Sequence, residues 1–156
     1  MTEAPIARRL TVTWNDFDRE CRALAAELRG LQLWKGMIAI TRGGLAPACI
    51  LSYELHIRLI ETLCISSYDA ETQRELRVLK EVAGDGEGML VVEDIVDTGN
   101  TAKIVRRLCP QAYFVSVFAK PAGKPLVDKF RIEVPQETWI DFPWDGPINL
   151  AAKVGD

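Results

Sequence analysis

Apolar residues recur at Phe17, Cys21, Leu24, Ala25 and Leu28, the spacing of one buried helix face. Thr13 and Asp16 precede this run as a capping-box pair, and Gly30 follows it as a stop signal. Met37 to Thr41 is a short apolar run, read as a buried strand that ends at Arg42-Gly43-Gly44. Pro47 then opens a second helix that reaches about His56. Ile57 to Ile65 is rich in β-branched residues and predicts the next strand. Ser66 to Glu75 is polar and without period, which predicts a long exposed loop, and Leu76 to Val82 continues as a strand. Gly84-Asp85-Gly86-Glu87-Gly88 is a turn, Met89 to Val92 a buried strand, and Thr101 to Leu108 a helix stopped by Pro110. Ala112 to Ala119 predicts a further strand. Alternating strands and helices predict an α/β fold on a mainly parallel sheet. From Lys120 onward five prolines and two tryptophans break the pattern, so residues 120–156 read as an irregular hood over the sheet edge, with one strand at Phe130 to Val134.

Length and charge narrow the function classes. One domain accounts for the 156 residues, and a chain of this size builds a core without staples. The net charge of −3 gives no polycationic surface for nucleic acid. Cys21, Cys49, Cys64 and Cys109 form no C-x-x-C pair, and the first three sit among apolar residues, which reads as buried free thiols of a cytoplasmic protein. The single histidine, His56, excludes a multi-histidine metal site and is best placed as a helix-end residue. No apolar targeting segment or spanning run is present in the sequence.

The chemistry gathers at residues 89–101, Met-Leu-Val-Val-Glu-Asp-Ile-Val-Asp-Thr-Gly-Asn-Thr. Three acids, Glu93, Asp94 and Asp97, crowd the end of a buried strand, and Asp97-Thr98-Gly99-Asn100-Thr101 leads straight into a helix. Open α/β sheets bind ligands beyond the carboxyl ends of their strands. Gly99 lets the backbone turn closely, so exposed N–H groups and the hydroxyls of Thr98 and Thr101 form a phosphate cup. Acids beside such a cup suit a Mg²⁺-bound sugar phosphate. Neither a Walker loop nor a dinucleotide fingerprint is present.

This segment resembles the signature of the type I phosphoribosyltransferases. Trp34-Lys35-Gly36, Thr41-Arg42-Gly43-Gly44-Leu45, Cys64-Ile65-Ser66-Ser67-Tyr68, Gln73-Arg74-Glu75-Leu76, Phe118-Ala119-Lys120-Pro121-Ala122-Gly123 and Thr138-Trp139-Ile140 extend the likeness, over about residues 10–145, to the bacterial xanthine-guanine group. The resemblance implies a salvage reaction in which guanine, xanthine or hypoxanthine displaces pyrophosphate from phosphoribosyl pyrophosphate. It implies that Arg42, Gly43, Arg74, Glu93, Asp94, Ile95, Val96, Asp97, Thr98, Gly99, Asn100 and Thr101 bind the donor. Asp94 stands on the metal side with Mg²⁺ as cofactor, and Asp97 is the base near purine N7. Asn100 replaces a second glycine, and asparagine tolerates the left-handed region, so the cup survives. The resemblance further implies that Lys120 faces the purine 6-oxo group, Trp139 stacks on the ring, and Ile140 offers backbone groups to its 2-position side. Loop 66–75 closes to exclude water. A homotetramer, with loose association at the inner membrane face, is also implied. Two alternatives remain: a non-catalytic phosphoribosyl-pyrophosphate sensor, and a hypoxanthine-preferring enzyme.

Overall fold

The computed structural model describes residues 8–70 and 73–146; the end of the expected hood, 147–156, lies outside the described residues. The described residues hold eight strands and three α-helices: β1 Arg9–Thr11, α1 Trp14–Leu28, β2 Gly36–Thr41, α2 Leu45–Glu54, β3 Ile60–Ala70, β4 Gln73–Lys80, β5 Met89–Val96, α3 Asn100–Leu108, β6 Tyr113–Ala119, β7 Lys129–Glu133 and β8 Trp139–Asp141. Six strands form the main sheet in the order β4-β3-β2-β5-β6-β7. All its pairings are parallel except β3 with β4. The α/β reading on a mainly parallel sheet therefore holds.

Local chemistry fixes the helices. Thr13 Oγ1 accepts from the Asp16 N–H while the Asp16 carboxylate accepts from the Thr13 N–H, so the capping box closes at the start of α1. The expected face of α1, Phe17, Cys21, Leu24, Ala25 and Leu28, is fully buried against the β5 and β6 side chains Leu90, Val92, Val115 and Val117. His56 takes a positive φ of 55° directly after α2. Its N–H donates to Tyr53 O at 3.3 Å and the Ile57 N–H to Ser52 O at 2.9 Å, a Schellman close that confirms the helix-end role.

Helices α1 and α2 cover one face of the sheet, and α3 covers the other around Ile38, Ile40, Val91, Val105 and Phe114. The tail is partly regular. β7 extends the main sheet in parallel with β6, and β8 pairs in parallel with β1 as a separate two-stranded ribbon. Phe142 and Trp144, stacked at 4.7 Å, fasten the ribbon onto Phe17 and Phe118.

Three expectations are corrected. The described part of 66–75 is strand rather than loop: Ser66 to Ala70 lie on β3 and Gln73 to Glu75 on β4, paired antiparallel with Asp69 opposite Arg74. The side chain of Arg74 lies outside the described residues. Cys49 is exposed and Cys64 half-buried, because the outer stripe of α2 and the upper part of β3 are not covered; only Cys21 and Cys109 are buried thiols. Asn100 does not use the left-handed region. Gly99 takes it, at φ 88°, and Asn100 is the first helical residue of α3.

Candidate active site at the ends of β2 and β5

The connections from β2 and β5 leave the sheet in opposite directions. β2 runs through α2 to β3 on one side, and β5 runs through α3 to β6 on the other. Such a reversal opens a crevice at the carboxyl ends of the two strands. Arg42 and Gly43 follow β2 there, and Asp97 to Thr101 follow β5.

Two clefts meet at this point. One, of about 250 Å³, is lined by the continuous run Glu93 to Ala102 together with Gly43 and Phe114. The other, of about 700 Å³, is lined by Arg42, Gly43, Leu45, Ala46, Asp94, Trp144 and Asp145. Gly43 and Asp94 belong to both. Their approach demands glycine: a Cβ at position 43 would stand 2.5 Å from both Asp94 carboxylate oxygens. The Thr41–Arg42 peptide bond is cis.

In the smaller cleft Gly99 caps α3, and the Lys103 N–H reaches back to Gly99 O at 2.9 Å. The N–H groups of Asn100, Thr101 and Ala102 belong to the unsatisfied first turn and carry the positive end of the helix dipole. The Asn100 N–H finds the Thr98 Oγ1 only at 3.4 Å. This is the backbone geometry that the sequence reading of a phosphate cup requires.

Behind the cup, Glu93 and Asp94 are buried at the end of β5. The Asp94 N–H donates to Glu93 Oε1 at 3.1 Å and the Ile95 N–H to Asp94 Oδ1 at 2.7 Å. Neither carboxylate is ion-paired with a described residue. Burial, with the Asp94 charge beside it, holds the Glu93 carboxyl well above its usual range. Burial also raises Asp94, and the charge of Asp145 acts in the same direction. Two buried oxygen donors without a cation fit Mg²⁺, which takes one or two carboxylates and completes its shell with water and substrate phosphate. No group of three or more acidic, histidine or cysteine ligands occurs among the described residues, so the protein alone offers no closed cage.

Asp97 lies at the outer edge of the cup with its side chain 50% exposed. Its Oδ2 accepts from Lys120 Nζ at 2.9 Å, and Lys120 itself is buried to 7% side-chain exposure. Its Oδ1 accepts from Gln136 Nε2 at 2.8 Å. The lysine is carried there because β6 runs beside β5: the Lys120 N–H donates to Val96 O at 2.9 Å, one residue before Asp97.

The family model of the phosphoribosyl transferase domain matches residues 13–149. The chain belongs to this family. Among solved structures, the purine phosphoribosyltransferase of Pyrococcus horikoshii is 26% identical, with a TM-score of 0.75 over 87% of this chain and 93% of that one. The xanthine-guanine-hypoxanthine phosphoribosyltransferase of Helicobacter pylori is 24% identical, with a TM-score of 0.74 over 89% and 95%. A Neisseria gonorrhoeae protein described with bound ppGpp is 23% identical, with a TM-score of 0.74 over 94% of each chain.

Within this phosphoribosyl transferase, the crevice brings together Arg42, Gly43 and the run Glu93 to Thr101, and Lys120 reaches Asp97. Trp139 and Ile140 line neither cleft. Trp139 is 58% exposed on β8, where its indole N–H donates to Asp141 Oδ1 at 3.2 Å. Ile140 has a buried side chain, but its backbone is placed differently. The Trp139 N–H bonds to Arg8 O, and Asp141 O accepts from the Val12 N–H. Alternation along a parallel ladder then turns the N–H and C=O of Ile140 to the edge away from β1. Gln136 was not legible in the sequence. A lone glutamine in a proline-rich tail has no motif, and only the fold brings it to Asp97.

Proposed function

We propose that the chain transfers a phosphoribosyl group from phosphoribosyl pyrophosphate to a 6-oxopurine, releasing the nucleoside monophosphate and pyrophosphate. The observation that carries this reading is the contact of Lys120 Nζ with Asp97 Oδ2 at 2.9 Å. It sets a donor and an acceptor side by side. On a purine, N7 and the 6-substituent share one edge. A neutral 6-oxopurine protonated at N7 presents N–H next to C=O, the complement of the pair. Adenine presents an amino donor where Lys120 also donates, which costs a hydrogen bond and sets like polarities together. A protein that merely senses the donor has no use for such a pair.

In the reaction purine N9 bonds to the sugar C1′ as the C1′–pyrophosphate bond breaks. The N7 proton leaves to the Asp97 carboxylate, general-base work at a half-exposed acid. Backbone N–H groups at Asn100 to Ala102 hold the 5′-phosphate, and Arg42 faces the leaving pyrophosphate. Asp94, with Glu93 beside it, would hold Mg²⁺, which supplies Lewis-acid stabilisation of the pyrophosphate charge.

Guanine, xanthine and hypoxanthine share the N7 and 6-oxo edge and differ at position 2. The open edge of Ile140 carries one C=O and one N–H. The first suits the 2-amino group of guanine and the second the 2-oxo group of xanthine, while hypoxanthine uses neither. Asp97→Asn tests the assignment: turnover falls roughly 10²–10⁴-fold with the fold intact by circular dichroism. Near-parental turnover would remove Asp97 from the chemistry.

A further inference from the structure

Gln136 occupies a turn just beyond β7, closed by the Thr138 N–H on Pro135 O at 3.0 Å. Its amide group bridges two other segments. Oε1 accepts from the Ala122 N–H at 2.9 Å, and Nε2 donates to Asp97 Oδ1 at 2.8 Å and, at 3.4 Å, to Asp97 O. The orientation of the amide is fixed by chemistry. A backbone N–H can only donate, so the oxygen must face Ala122, and the nitrogen is thereby turned to the carboxylate.

The segment 120–123 is itself seated on the backbone of residues 96 and 97. The Lys120 N–H donates to Val96 O, and a Cβ on Gly123 would stand 2.7 Å from Val96 O and 3.0 Å from Asp97 O. Two segments thus converge on one half-exposed carboxylate. Lys120 holds Oδ2 and Gln136 holds Oδ1, each from a different segment. A carboxylate offers about four acceptor positions. Two such bonds fix the plane of the group and leave capacity on each oxygen for an incoming N–H.

We propose that Gln136 is a positioning residue for Asp97: it orients the carboxylate that receives the purine N7 proton, and it does so as a donor rather than as a loop tie. The inference rests on the reading of Asp97 as the base. A carboxylate released at Oδ1 can rotate about its side-chain bonds, and misplacement of a reacting group by about 1 Å costs up to roughly 10²-fold in rate.

Two variants separate the roles. Gln136→Met keeps the length and removes all three hydrogen bonds. Gln136→Glu keeps an acceptor for the Ala122 N–H but has no donor for Asp97 and sets a second negative charge against it. Steady-state kinetics with guanine and phosphoribosyl pyrophosphate, thermal midpoints and the same substitutions in an Asp97→Asn background form the test. Both variants are expected to lower kcat roughly 10–100-fold with an unchanged KM for the donor. In the Asp97→Asn background Gln136→Met is expected to lower turnover no further. Parental kcat in Gln136→Glu, with loss only in Gln136→Met, would make Gln136 a loop tie and overturn the proposal. A fall in kcat that tracks the thermal midpoint and persists in the Asp97→Asn background would overturn it as well. Parental turnover in Asp97→Asn alone would instead overturn the reading of the base, whatever Gln136 does.

Discussion

Lys120 carries three N–H donors on a compact charge, so it can keep Asp97 and still donate to a purine carbonyl. In the proposed complex Trp139 meets the base through its ring face, and every purine presents the same kind of face to it. Discrimination among bases should therefore follow the lysine. A hydrogen bond to a charged group contributes about 1.5–3 kcal/mol, so Lys120→Met should lower kcat/KM for guanine and xanthine roughly 10–150-fold. It should also narrow their lead over adenine. Trp139→Leu should lower all purines together. The kcat/KM values of both variants with four purines check this; a uniform fall in Lys120→Met with unchanged ratios would make the lysine structural. The sequence showed Lys120 and Asp97 as separate motif residues, 23 positions apart. Their contact follows from the parallel register of β5 and β6, which no local pattern encodes.

At the scale of elements, periodicity and capping chemistry were reliable where one face is buried. The α1 stripe and its capping box illustrate this, since burial of one face on every turn leaves a strict apolar spacing. The β3–β4 hairpin illustrates the converse. Ser66, Ser67 and Glu75 lie on paired strands beyond the helices, at the edge of the sheet. With neither face in the core, no alternation is required, and polar residues there read as loop. The start of α3 gives a sharper expectation. Gly99 stands at φ 88°, and a Cβ there would meet Leu126 Cδ1 at 2.8 Å. Gly99→Ala should cost about 1–3 kcal/mol of stability and weaken donor binding as the cup distorts. Denaturant unfolding and donor titration measure the two effects; a parental midpoint with parental donor affinity would contradict the cup geometry.

For the molecule as a whole, the position of the site follows from topology. The chain leaves β2 and β5 in opposite directions, and Arg42, Gly43 and the start of α3 all stand at that reversal. The tail completes the arrangement: β7 extends the sheet, and the ribbon of β1 and β8 is clamped by Phe142 and Trp144 against Phe17 and Phe118. This clamp joins residues near the two ends of the described chain, so the expected hood is only partly irregular. The central claim is that this crevice reads a 6-oxopurine edge while it transfers a phosphoribosyl group. The direct measurement is initial-rate formation of nucleoside monophosphate and pyrophosphate by the full chain with phosphoribosyl pyrophosphate, Mg²⁺ and guanine, xanthine, hypoxanthine or adenine in turn. The account predicts equal amounts of the two products from guanine and xanthine, and a kcat/KM for adenine lower by at least roughly 100-fold. Comparable rates with adenine, or no product from any purine, would contradict it.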